Sequence, residues 1–76
     1  ENSLKKVNFK GSNLYSVNLK NSDLTDADLQ NADFTNANLE NADLTNAKIF
    51  GVDFTSTKIF AHANCLLLQH KVHQFY

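Results

Sequence analysis

The sequence predicts an all-β solenoid, a chain wound into a narrow four-sided coil. Two tracks of side chains predict it. A large apolar residue recurs at every fifth position, at Leu4, Phe9, Leu14, Leu19, Leu24, Leu29, Phe34, Leu39, Leu44, Ile49, Phe54 and Ile59, with no slip of register. A smaller track lies two residues earlier, at Val7, Ser12, Val17, Ser22, Ala27, Ala32, Ala37, Ala42, Ala47, Val52 and Thr57. Period five fits neither common element. A helix turns about 100° per residue, so the spacing walks its apolar side chains around the axis. A flat strand has period two, so an odd spacing sends successive apolar residues to opposite faces. Both tracks stay inside only if the chain changes direction once per repeat.

Each repeat then divides into an extended piece and a bend. Residues two apart in an extended segment point the same way, so the small and large residues face inward and the polar residue between them faces outward. The next two positions bend. The second of them reads Gly11, Ser16, Asn21, Asp26, Asn31, Asn36, Asn41, Asn46, Gly51 and Ser56. These residues suit turns because they bond their own backbone or tolerate unusual angles. A bend of roughly 90° per repeat closes a coil in about twenty residues, and stacked coils pair their short edges about 4.8 Å apart. Like residues then form columns: Leu4, Leu24 and Leu44; Leu14, Phe34 and Phe54; Leu19, Leu39 and Ile59. Each coil buries its core only against its neighbours, so the end coils need covers.

The phrases Ala27-Asp28-Leu29, Ala32-Asp33-Phe34, Ala37-Asn38-Leu39 and Ala42-Asp43-Leu44 repeat one motif, and twelve in-phase copies run from residue 2 to about 61. In this the chain resembles the pentapeptide-repeat family. The resemblance implies a right-handed quadrilateral β-helix, here of about three coils. It implies fold more than role: the best-understood members mimic DNA and bind gyrase, whereas many others, abundant in cyanobacteria and plant plastids, have no assigned activity.

At 76 residues the chain is expected to be one domain or a fragment of a longer one, processed or excised because it starts at Glu1. No apolar stretch is long enough for a membrane span and no signal-peptide pattern is present, which favours a soluble, cytoplasmic chain. The net charge is -1 and arginine is absent, so direct nucleic-acid binding is not expected. Charge is unevenly placed: Lys5, Lys6, Lys10 and Lys20 come first, then Asp23, Asp26, Asp28, Asp33, Glu40 and Asp43 without an intervening lysine. Stacking sets Asp23 against Asp43 and Asp33 against Asp53, and pairs Lys20 with Glu40 and Lys48 with Asp28. Thr25, Thr35, Thr45 and Thr55 read as residues of good β-propensity.

Register breaks after Ile59, where the next in-phase position is Asn64. Cys65, Leu68, Val72 and Phe75 follow near-helical spacing, so residues 62–76 are expected to form a short helical cap after a β-helix over 1–61. Cys65, His70 and His73 lack a fourth ligand, so no metal is expected. Phe50 and Phe60 occupy the first turn position, which points outward and elsewhere carries lysine, glutamine, glutamate or threonine. Something should cover them: the C-terminal segment, or a second copy through a two-fold contact at the C-terminal end. The candidate interface is Phe50, Phe60, Leu66, Leu67, Phe75 and Tyr76. No nucleophile–base arrangement, phosphate-cradling glycine loop or acid pair in a cleft is present, so no catalytic residue or cofactor is expected. The expected role is a non-enzymatic interaction or scaffold module with a protein partner. The alternative is a DNA-mimicking inhibitor of a gyrase-like topoisomerase, which would need a longer acidic surface.

Overall fold

The computed structural model describes residues 3–59. The expected cap at 62–76 and the end of the first unit at 61 lie outside the described residues. Pairing follows a fixed offset. Ser3 pairs in parallel with Asp23, Asn8 with Asp28, Asn13 with Asp33 and Asn18 with Asn38, and the next coil repeats this from Asp23–Asp43 to Asn38–Lys58. The offset is twenty residues at every pair, as the columns require. Residues 3–22 form coil 1, 23–42 coil 2 and 43–59 most of coil 3. This is a fold of β-helix type in which each side holds one paired residue and its flanks; no α-helix occurs among the described residues.

The corners are hydrogen-bonded turns. From Val7 N–H to the Leu4 carbonyl through Thr57 N–H to the Phe54 carbonyl, each small-track residue donates back across a corner. The third residue of each turn has positive φ, from Lys6 and Gly11 to Gly51 and Ser56. A turn with positive φ at that position alone is of type II, which asks for glycine or asparagine there. Most corners comply. Lys6, with φ 62°, does not, and its residue type hides the turn from a sequence reading. Gly51, with φ +77°, has a second reason to be glycine: a Cβ there would land on the Asn31 side-chain oxygen.

The interior holds both tracks. Leu24, Ala27, Leu29, Phe34, Ala37, Leu39 and Leu44 have no exposed surface, and Phe34 meets Phe54 edge to face at 6.0 Å. Alanine fills the small track of coil 2 because the opposite walls leave room for nothing larger. Ser22 occupies one such place and its buried hydroxyl has no hydrogen-bond partner among the described residues. Thr57, on the same track, instead donates to the Phe34 carbonyl at 2.7 Å.

Candidate interaction surface

The outward residue between the two tracks does more than face water. In the repeat 28–32, the N–H of Asp28 donates back to Val7 in coil 1, those of Leu29 and Asn31 donate forward to Lys48 and Phe50 in coil 3, and that of Ala32 closes the corner. The N–H of Gln30 has no backbone acceptor in this scheme. It donates to the Asp28 carboxylate at 3.1 Å. The same bond recurs from Lys10 to Asn8, Tyr15 to Asn13, Thr25 to Asp23, Thr35 to Asp33, Glu40 to Asn38 and Thr55 to Asp53. Asparagine and aspartate have the reach for this bond to the N–H two residues on. The acidic surface is thus in large part a structural device.

Threonine completes it. The hydroxyls of Thr35, Thr45 and Thr55 each donate to the aspartate two residues earlier at 2.6 Å. Threonine, at the first turn position, therefore also serves the carboxylate. Hydrogen bonds from the Thr25 side chain and N–H hold the Asp23 carboxyl below its ordinary pKa, with the Lys5 charge helping and the stacked Asp43 charge opposing. Asp53 is lowered likewise, first by Thr55 and in smaller part by Thr35 one coil away. Donors win over like-charge repulsion because the carboxylates stand at the water surface, where Coulomb terms are screened. Of the two expected cross-coil ion pairs, Lys20 reaches Glu40 at 3.8 Å. Lys48 stacks on Asp28 through the backbone, while the Asp28 carboxylate accepts both the N–H and the side-chain amide of Gln30.

Among the expected interface residues, Phe50 stands at a corner of coil 3 with 68% of its surface exposed. Phe60, Leu66, Leu67, Phe75 and Tyr76 lie outside the described residues, as do Cys65, His70 and His73. The described residues add Tyr15, 57% exposed, whose hydroxyl accepts a hydrogen bond from the Asn36 side chain at 3.1 Å. Tyr15 holds the same first-turn position as Phe50 and Phe60, and that shared register was the signal that would have found it. Tyr15 and Phe50 belong to neighbouring corners at opposite ends of the stack. Among the described residues no helix is long and apolar enough to cross a membrane, and no group of three His, Cys, Asp or Glu side chains could hold a metal ion.

A twenty-residue parallel register, a type II corner every fifth residue and a leucine-filled interior define a solenoid of β-helix type. A family model described as pentapeptide repeats (8 copies) matches residues 2–31 and 22–61, and the chain belongs to the pentapeptide-repeat family. Comparison with curated proteins found no match.

Proposed function

We propose that the chain is a non-enzymatic interaction or scaffold module that holds side chains on rigid corners for a protein partner. The observation that carries this reading is Phe50, a large apolar side chain exposed on a corner whose backbone is fixed by pairing on coil 2. An exposed phenylalanine on a rigid frame binds at little cost in ordering entropy. The filled interior supports the absence of catalysis, since chemistry would have to take place on the open surface.

In this reading the coil is right-handed, because connections between parallel strands take that hand in the great majority of folds. A second copy joined through the C-terminal end would be the self-complementary form of the contact. The DNA-mimic alternative has less support: the acidic run extends only from coil 2 to Asp43 at the start of coil 3, and one coil adds only about 4.8 Å to the stack.

Cross-linking capture by the chain and by its Phe50→Ser variant tests the proposal. A protein captured by the wild type and lost with the variant is the expected result. Identical captures, or inhibition of gyrase supercoiling by the purified chain, would contradict it.

A further inference from the structure

One long edge of the solenoid is unlike the others. It carries Lys10, Gln30 and Phe50 in one column at the first turn position, with Gly11, Asn31 and Gly51 beside them at the second. The Gly11 N–H donates to the Gln30 carbonyl at 2.8 Å and the Asn31 N–H to the Phe50 carbonyl at 3.0 Å, so the three levels are held in line. The Asn8 and Asp28 side chains accept the N–H groups of Lys10 and Gln30 and fix the corner further. Lys10 and Phe50 are exposed, and Gln30 between them is half-buried.

The turn alone does not require glycine here. Ser16, Asn36 and Ser56 hold the same turn position at the next corner, also with positive φ. A Cβ at Gly11 would meet nothing within 4 Å, so packing inside the chain leaves space for a side chain. Both glycines of the chain nevertheless fall at this corner. Bare backbone beside an exposed column lets another surface come close.

The column is complementary to itself when reversed. A two-fold axis perpendicular to the stack, at the level of Gln30, sets Lys10 against Phe50 of a second copy and Phe50 against its Lys10. An ammonium over an aromatic face is attracted by the ring quadrupole. Gln30 meets Gln30 on the axis. Its side-chain nitrogen donates one N–H to Asp28 at 3.2 Å, and the other N–H and the oxygen can pair with the same groups of the second copy. Gly11 stands opposite Gly51, which gives the ring room beside Lys10. A parallel pair would instead set Lys10 against Lys10. At the two other corners described in all three coils, reversal pairs Lys5 with Thr45 and Tyr15 with Thr55, and neither sets a cation on a ring. Asp28 and Asp33 each approach their own counterpart, but the flanking faces slope away from a corner contact and both carboxylates are bonded within their own turns.

We propose that two copies of the chain associate side by side and antiparallel through this corner, with Lys10 of each on the Phe50 ring of the other. This rests on the reading of the chain as an interaction module and names the occupant of its Phe50 surface. Sedimentation velocity of the full chain over a range of concentrations is the test, with urea unfolding as the check that each variant folds. The unmodified chain should show a reversible monomer–dimer equilibrium. Phe50→Lys, which puts at this position the residue type coil 1 already holds there, sets lysine against lysine at both junctions and should weaken the dimer by about tenfold or more. The swap Lys10→Phe with Phe50→Lys recreates both pairs and should return the affinity to within about threefold. Oxidation of Gln30→Cys should link two copies at position 30, as mapped by mass spectrometry.

A chain still monomeric at about 1 mM, a dimer that Phe50→Lys leaves intact, a folded swap that stays monomeric, or no link at position 30 would each overturn the proposal. A monomeric chain that captures a different protein through Phe50 would overturn it too, and would leave the interaction-module reading standing.

Discussion

Leu19 and Leu39 stand in one column, one coil apart, yet Leu39 has no exposed surface and Leu19 is only partly buried. The same contrast runs through Leu4 and Leu24, Phe9 and Leu29, and Leu14 and Phe34. Coil 1 and coil 2 obey one five-residue rule, so local sequence does not separate them. Position in the stack does: among the described residues coil 2 has a neighbour on both sides and coil 1 on one. Composition follows the difference. The small track of coil 2 is alanine throughout, while that of coil 1 carries Val7 and Val17. In a solenoid the stability of a residue is thus set by its neighbours' presence as much as by its own contacts.

The largest expected break in the comparison is Phe34→Ala. It empties the core at the edge-to-face contact with Phe54 and should cost about 3–5 kcal/mol in urea unfolding. Leu14→Ala, in the same column of coil 1, should cost clearly less because part of its surface already meets water. Equal costs would mean that the two coils are buried alike in solution. Overpacking sharpens the contrast. Ala37→Leu should destabilise by about 1–3 kcal/mol, whereas Val17→Leu, one coil before, should change the unfolding midpoint little.

Much of this was legible in the sequence and some was not. The five-residue register shows directly because leucine and phenylalanine are placed by burial alone. The corners show where asparagine or glycine marks a positive φ, and stay hidden at Lys6, where a residue with no local signal adopts it. The role of Asp28 and its equivalents was not legible. That Gln30 N–H lacks a backbone acceptor is a property of coil stacking, and from the sequence a polar residue between two apolar ones reads only as outward-facing. Tyr15 is hard to single out because its column continues as Thr35 and Thr55, and only its turn position likens it to Phe50. The spacing change after Ile59 concerns residues beyond those described.

Ser22 marks the junction of the two coils, and its change should be smaller and of opposite sign. Its buried hydroxyl lacks a partner, and Ala42 fills the equivalent place one coil on. Ser22→Ala should raise stability by on the order of 1 kcal/mol, since it removes an unsatisfied polar group without adding volume. A lower thermal midpoint would show that the hydroxyl is bonded in solution.

The smallest effect is the pH dependence. Asp23 and Asp53 have folded pKa values below the ordinary 3.8, lowered first by bonds from Thr25 and Thr55. Their contribution is therefore complete above the unfolded value and is lost as pH falls below 3.8 through the folded values. Asp53→Asn keeps the turn acceptor and should flatten the acid limb of the stability curve. An unchanged acid limb would show that these bonds do not persist in solution.

Native-state hydrogen exchange on the unmodified chain reads the account at its centre, the twenty-residue pairing between the described coils. The amides of Asp28, Asp33 and Asn38, which donate to coil 1, should exchange only through large-scale unfolding. Those of Asn8, Asn13 and Asn18 should exchange at nearly the rate of exposed backbone. Equal protection of the two sets would contradict the account, because it would mean that coil 1 is paired on both sides or that the coils do not stack in this register.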